Sequence, residues 1–178
     1  MIKAVFFDRD GTLIYDYGYL SVPDKVHPYK GAPEALHALQ KAGYHLFIVS
    51  NQSGIGRGYF TEKEARDVNR RLCQLFRPAR FDEIVFCPHA PNEGCSCRKP
   101  LPKLGLQLAG KYHIDLKHSF MIGDKKSDVE FGQALGCKSI LVRTANGNKH
   151  LKKYPDLKPD FIASTLPVAV HAILREKI

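Results

Sequence analysis

No run in these 178 residues approaches the ~20 apolar side chains needed to cross a bilayer. The N-terminus also lacks a charged segment followed by a long apolar stretch and a small-residue cleavage site, so a soluble, cytoplasmic protein is expected. There is no internal repeat and no low-complexity segment, which argues against solenoids and disordered tails. Acidic residues are in short supply, 18 Asp and Glu against 27 Lys and Arg. The excess of cations favours anionic partners such as phosphorylated metabolites, nucleic acid or anionic lipid, without choosing among them. Its short basic pairs (Arg70-Arg71, Arg98-Lys99, Lys125-Lys126, Lys152-Lys153) are scattered, and most of this charge reads as solvated surface. Five cysteines, three of them between positions 87 and 97, do not make a secreted disulfide framework and fit a metal site in a reducing compartment better.

What is present reads as alternating strands and helices. A chain of this length buries roughly 70% of its unfolded surface in one core, so residues 1–178 are expected to form a single domain. Apolar runs predict strands at Ile2–Phe7, Tyr44–Val49, Ile84–Phe86, Phe120–Ile122, Ser139–Val142 and Phe161–Ile162. Helices are expected from Pro33 to Gly43, from the capping-box pattern at Thr61–Glu64 to about Phe76, over Pro102–Tyr112, over Lys125–Leu135 and from Leu166 to about Glu176. Residues 15–30 show no sustained period and read as a loop or small flap; SGIGRGYF, from Ser53, reads as a glycine-rich loop. The fold class is therefore α/β, a three-layer sandwich around a central parallel sheet.

Polar clusters follow three of the strands directly: Asp8 and Asp10 after the first, Ser50-Asn51 after the second, Gly123-Asp124 after the fourth. In a parallel sheet these tips share one edge, where such folds place their ligands. Two carboxylates at the end of a buried strand are costly unless they hold a cation or do chemistry. Asp8 suits an oxygen nucleophile toward phosphorus, and Asp10, offset by two, suits the group that protonates the leaving oxygen and then activates water. Gly11 lets the chain turn, and Thr12 can bond within that turn. Asp124 is a hard oxygen ligand for magnesium beside Asp8 and a backbone carbonyl, with Asp128 able to hold a metal-bound water; helix capping by Asp124 is the ordinary alternative. Ser50 and the amides of Asn51 and Gln52 could bond phosphate oxygens, and Lys99 could neutralise charge in transfer.

The series Cys87-Pro88-His89…Cys95-Ser96-Cys97 offers three thiolates and one imidazole, a full tetrahedral shell for zinc. With every position filled by protein, that zinc would be structural and would brace the loop leading into Arg98 and Lys99. Cys73 and Cys137 read as small core residues, and the remaining histidines as surface or packing residues. Tyr15, Tyr17 and Tyr19 read equally as the lining of a sugar-sized site and as flap packing.

DRDGT at 8–12, Ser50 after the second strand, Lys99, and GDKKSD at 123–128 together resemble the four motifs of the haloacid dehalogenase superfamily of phosphotransferases. SNQSGIGRG and the CPH…CxCRKP segment are further similar to the branch containing heptose 1,7-bisphosphate and histidinol-phosphate phosphatases. The resemblance implies a Rossmann-like fold without a large cap domain and with a small zinc-binding loop. It implies Asp8 as nucleophile, Asp10 as proton donor, and magnesium on Asp8, the Asp10 carbonyl and Asp124. It also implies phosphate contacts from Ser50, Lys99 and Lys125, and substrate recognition by Arg98, by Asp16, Tyr17, Gly18 and Tyr19, and by Asn51, Gln52 and Ser53. Asp16 to Tyr19 looks like the substrate loop of the heptose enzymes with Tyr17 in place of histidine, whereas the short His89–Cys95 spacing is like that of the histidinol-phosphate enzymes. The activity implied is removal of the 7-phosphate from a sugar bisphosphate by a monomer, with histidinol phosphate and other phosphomonoesters, including 3'-phosphate ends of nucleic acid, as alternatives. A zinc-knuckle nucleic-acid module would need aromatics among the basic residues of 87–103; none is there, and no nucleic-acid or membrane partner is expected.

Overall fold

The computed structural model describes residues 1–175. Its strands are β1 (Ala4–Phe7), β2 (His45–Asn51), β3 (Glu83–Cys87), β4 (Phe120–Gly123), β5 (Lys138–Val142) and β6 (Phe161–Ala163). They form one sheet in the order β3-β2-β1-β4-β5-β6, every pair parallel. The helices are α1 (Ala32–Lys41), α2 (Ser53–Gly56), α3 (Glu62–Leu75), α4 (Lys103–Tyr112), α5 (Lys126–Leu135), α6 (Gly147–Lys153) and α7 (Leu166–Leu174).

Alternation along the strands divides the interior into two cores. Val5, Phe7, Leu46 and Ile48 face α1, α3 and α7 through Leu36, Leu39, Val68, Leu72, Val170 and Ile173. Ala4, Phe6, Phe47 and Val49 face the opposite way, onto Leu108 of α4 and Phe131 and Leu135 of α5. The result is the expected three-layer sandwich. No helix among the described residues is long and apolar enough to cross a membrane.

The element boundaries shift where pairing decides them. β2 runs two residues past Val49 because Ser50 and Asn51 pair with Phe86 and Cys87 of β3, a tertiary effect that hydrophobic runs do not report. Ile2 lies outside β1 and forms only an isolated bridge to Ile114. Ser53–Gly56, read as loop, is the one-turn helix α2, and α6 falls in a stretch with no expected element. Thr61 does cap α3: its hydroxyl accepts the Glu64 amide (3.2 Å) while Glu64 accepts the Thr61 amide (2.7 Å), an arrangement worth about 1 kcal/mol. The last turn of α7 expected to reach Glu176 lies outside the described residues.

Residues 15–30 form a flap tied to the body at both ends. Ile14 bridges Pro28, the Tyr15 amide donates to the His27 carbonyl (3.0 Å), and Leu20 and Val26 are buried in the first core.

Candidate active site

The parallel register brings the strand ends level: Phe7 lies opposite both Ile48 and Ile122, so the residues after β1 and β4 and the last residues of β2 meet on one edge. The Asp8 amide donates to the Ile122 carbonyl (2.9 Å), which fixes the nucleophile candidate between β1 and β4. Gly11, at φ 89°, turns the chain across Asp124; a β-carbon there would sit 2.5 Å from Asp124 Oδ2, so the glycine serves close approach as well as the turn. Thr12 does not act as expected. Its hydroxyl is buried without a hydrogen-bond partner among the described residues, and only its amide bonds the turn, to the Arg9 carbonyl (3.4 Å).

Asp8, Asp124 and Asp128 offer oxygens within 4.8 Å of one another, and all three residues are buried. Asp128 is therefore part of the carboxylate cluster itself. Lys99 Nζ, also buried, lies 2.8 Å from Asp8 Oδ1, donates to the Val49 carbonyl (2.5 Å) and sits 2.8 Å from Asp128 Oδ1. The Asp128 contact is an ion pair by distance but is not aligned as a hydrogen bond. Lys125 Nζ stands 3.9 Å from Asp124 Oδ1 and 3.5 Å from Asp16 Oδ2.

Burial would raise the Asp8 carboxyl, but the Lys99 and Lys125 ammonium groups outweigh it and hold Asp8 below the usual carboxylate range. For Asp124 burial wins: reinforced by the charges of Asp8 and Asp128, it overrides Lys125 and pushes the pKa up to about 7. Burial likewise raises Asp128 despite Lys99. Both lysines are raised, because the carboxylates outweigh the burial that would lower them.

Three carboxylates thus face two ammonium groups, a deficit of positive charge that a divalent cation would fill. Asp124 Oδ1 provides the test of fit. Asn146 donates both its backbone and side-chain N–H groups to the other oxygen, Oδ2, at 3.0 Å each, leaving Oδ1 buried with no hydrogen-bond partner among the described residues. A buried carboxylate oxygen left open beside Asp8 is what a hard cation requires. Asp124 does not cap α5; Asp128 Oδ2 accepts the Lys125 amide (3.0 Å), and His150 Nδ1 accepts that of Lys126 (2.9 Å).

Asp10 lies apart from this cluster. Arg9, fully buried, holds its carboxylate through Nε and Nη2 at 3.1 Å each, and Gln52 Nε2 adds a bond to Oδ2 at 3.0 Å. Gln52 Nε2 also reaches Ser50 Oγ (3.2 Å). The Gln52 amide, expected to face phosphate, instead donates to the Cys87 carbonyl (2.8 Å), a consequence of the longer β2. The Asn51 side chain clamps the Lys99 backbone, accepting from its amide (3.0 Å) and donating to its carbonyl (3.1 Å), and so fixes where the ammonium points.

A cavity of about 370 Å³ opens beside these groups, within the usual range for small-molecule sites. Asp10, Asn51, Gln52, Ser53, Arg98 and Lys125 line it, together with Asp16, Gly18 and Tyr19 of the flap. Asp16 accepts the Gly18 amide (2.9 Å) and faces Lys125 and Asn146 (3.5 Å each), which pins the flap over the edge. Tyr17 is not part of the lining and contacts His27 (3.4 Å). The tyrosines divide between the two readings: Tyr19 lines the cavity, edge-on to Tyr59 at 4.6 Å, while Tyr15 packs on Tyr29 at 4.3 Å. Ser127, Asn146 and Thr144, whose hydroxyl donates to the Gly11 carbonyl (2.6 Å), also belong to the site, although no sequence pattern marks them.

Cys87, His89, Cys95 and Cys97 converge as their spacing predicts. Cys97 Sγ lies 3.2 Å from Cys87 Sγ and 3.3 Å from His89 Nδ1, and Cys95 Sγ is 3.5 Å from Cys87 Sγ. These separations are too long for a disulfide and approach the edges of a tetrahedron whose ligands stand ~2.3 Å from zinc. Burial and the neighbouring thiols push Cys87 up to about 12, while at Cys95 burial, the largest single cause, is outweighed by hydrogen bonds from the Cys97 amide, the Cys87 thiol and the Arg98 amide, which together bring it down to about 7. Arg98 Nη1 donates to the His89 carbonyl (3.2 Å), so the quartet carries Arg98 toward the cavity. Cys137 is a core residue; Cys73 is only half-buried.

Comparison with known proteins supplies the context of this geometry. A haloacid dehalogenase-like hydrolase family matches residues 5–79, and a HAD-hydrolase-like family matches residues 96–169. The chain is 44% identical, over 81% of its length and 85% of the relative's, to the D-glycero-beta-D-manno-heptose-1,7-bisphosphate 7-phosphatase of Helicobacter pylori. It is 37% identical to the enzyme of that name from Pseudomonas putida, over 85% of its length and 89% of the relative's. The crystal structure of D,D-heptose 1,7-bisphosphate phosphatase from B. bronchiseptica, complexed with magnesium and phosphate, superposes with a TM-score of 0.90 at 29% identity, covering 98% of this chain and 99% of that one. The chain belongs to the haloacid dehalogenase-like hydrolases, in the branch formed by the D-glycero-D-manno-heptose 1,7-bisphosphate 7-phosphatases.

Proposed function

We propose that the chain is a magnesium-dependent phosphatase that removes the 7-phosphate of D-glycero-D-manno-heptose 1,7-bisphosphate through an aspartyl-phosphate on Asp8. The observation that carries this reading is the buried trio Asp8, Asp124 and Asp128, with Asp124 Oδ1 left open, beside a cavity lined by Asp10, Lys125, Arg98 and the flap. The relatives at 35–44% identity that bear the heptose phosphatase name favour this substrate over histidinol phosphate.

Asp8, the one carboxylate of the trio that its neighbours hold below the usual range, would attack phosphorus while the bond to the sugar oxygen breaks and Asp10 gives that oxygen its proton. Water then attacks the aspartyl-phosphate, its proton passing to Asp10, and Asp8 leaves as a carboxylate with release of inorganic phosphate. Magnesium on Asp8, Asp124 and the Asp10 carbonyl would screen the repulsion between the Asp8 carboxylate and the phosphate dianion. Lys99 and Lys125 would meet the transferred phosphoryl group with Ser50, and Arg98 with Asp16 to Tyr19 would recognise the sugar. Zinc on Cys87, His89, Cys95 and Cys97 would brace Arg98 and Lys99. In this reading residues 1–178 act as one domain, a cytoplasmic monomer.

Initial rates with magnesium on both heptose bisphosphate anomers, histidinol phosphate and a 3'-phosphorylated oligonucleotide, compared as kcat/KM, test the substrate. A heptose bisphosphate is expected to lead; a preference for histidinol phosphate would overturn the assignment.

A further inference from the structure

We infer that Arg9 is a positioning residue that aims Asp10 at the reacting oxygens, a role that rests on the reading of Asp10 as the acid and base of the proposed reaction. The motif DRDGT would allow Arg9 to reach solvent, since it follows a strand and precedes a turn. Instead Arg9 is a fully buried side chain, and its guanidinium is occupied on every edge. Nη1 donates to Asn69 Oδ1 in the middle of α3 (2.8 Å), Nη2 to Gln52 Oε1 (3.1 Å), and Nε with Nη2 to the two oxygens of Asp10 (3.1 Å each). Gln52 closes the ring by donating to Asp10 Oδ2 (3.0 Å).

Three parts of the fold therefore converge on one carboxylate. Asn69 anchors the guanidinium to a long helix packed on the sheet, Gln52 anchors it to the end of β2, and Asp10 is the carboxylate that balances its charge. A buried guanidinium without that carboxylate would be strongly disfavoured, so the two side chains are bound to move together. Arg9 is absent from the cavity lining; its backbone amide bonds Asp8, but its guanidinium bonds only Asp10, Asn69 and Gln52 among the described residues, so the side chain's access to the reaction runs through Asp10, which keeps a small exposed surface on the cavity. Proton transfer depends on the donor lying within hydrogen-bond reach of the oxygen it serves, so loosening Asp10 costs rate even when its chemistry is intact.

Arg9→Lys keeps the charge but lacks the planar fork that grips both Asp10 oxygens. Asn69→Ala keeps Arg9 and removes its anchor on α3. Each is compared with wild type on heptose bisphosphate, whose alkoxide leaving group needs a proton, and by stopped flow on p-nitrophenyl phosphate, whose phenolate does not. With Arg9→Lys, kcat on the sugar phosphate should fall about 100-fold, the scale of general acid catalysis. On p-nitrophenyl phosphate the first turnover should stay near the wild-type rate while later turnovers slow, because hydrolysis of the aspartyl-phosphate still needs Asp10. A burst of nitrophenolate larger than that of wild type is the signature, and Asn69→Ala should show it more weakly.

Burst and steady state falling together in both variants would mean a loss of folded enzyme and would overturn the positioning role, as would wild-type kinetics in both. If Arg9→Lys does not fold, Asn69→Ala decides alone. Asp8→Asn, measured alongside, separates the two levels: turnover by that variant would defeat the nucleophile assignment, whereas its inactivity together with burst-free Arg9→Lys and Asn69→Ala defeats only the inference about Arg9.

Discussion

The carboxylate cluster at the sheet edge and the cysteine–histidine quartet on the loop after β3 both gather ligand atoms within 4.8 Å, yet they are built in opposite ways. Asp8, Asp124 and Asp128 sit at strand ends and a helix start that the sheet register already aligns, and two lysines keep them from repelling one another apart. The quartet spans eleven residues with little regular structure beyond the end of β3, and three of its four members are only half-buried. The first site has an open oxygen and an adjoining cavity, so a cation there would share its shell with a substrate. The second offers four protein ligands and no open place. The first site is set by the sheet register; the second, in the proposed reading, would use its metal to brace the loop that carries Arg98 and Lys99.

The largest expected effect separates the two sites. Asp8→Asn should abolish turnover, by at least about 1,000-fold, the scale for losing a nucleophile outright, while zinc content and thermal unfolding stay near wild type. Turnover in the folded variant would end the comparison, because the cluster would then not be the reacting centre. Cys97→Ser should do the reverse: metal analysis should find zinc well below the wild-type ratio. Its Tm should fall by roughly 4–8 °C, if the loss is about 2 kcal/mol in a chain of this size. The phosphatase rate should fall only secondarily, through the Arg98 and Lys99 that the loop carries. An unchanged Tm in zinc-free protein would show that the loop holds itself together.

These contrasts explain which parts of the molecule could be read in advance. Asp8, Asp10, Ser50 and Asp124 were legible because each follows an apolar run, and parallel strands carry such ends to one edge. The quartet was legible by spacing alone. Thr144 and Asn146 were not: single polar residues in a loop have no period, and their importance comes from standing across the sheet from Gly11 and Asp124. The commitment of the Gln52 amide was hidden because the two extra residues of β2 are set by pairing with β3. The burial of Arg9 left one readable sign. Ala65, Val68, Asn69 and Leu72 share the buried face of α3, and an asparagine in that apolar stripe calls for a buried partner.

Smaller effects sharpen the comparison. Asn146→Ala frees Asp124 Oδ2 from both the side-chain bond and part of its fixed direction, so magnesium affinity measured by calorimetry should weaken about 10-fold to 100-fold, the usual cost of losing an outer-shell partner. Zinc content should not respond. Equal loss of both metals would mean that the variant unfolds the edge rather than reorienting one carboxylate.

The smallest effect is a pH dependence that the two sites should not share. In the metal-free protein burial pushes Asp124 up to about 7, so below neutral pH this carboxyl is largely protonated, and a proton must leave before Oδ1 can serve a cation. Raising the pH removes that proton, so magnesium affinity should increase with pH. From pH 6 to pH 8 the ionised fraction goes from about 10% to about 90%, and the apparent association constant should rise roughly tenfold. Calorimetry in buffers of different ionisation enthalpy should also register proton release near pH 6 and almost none at pH 8. At the quartet, Cys95 titrates in the same range, but thiolate-bound structural zinc is held by about 10–16 kcal/mol in comparable sites, so a tenfold change leaves it filled. A flat magnesium affinity across this range would mean that Lys125 and Asn146 already keep Asp124 ionised, and that the edge is preorganised in charge as well as in position.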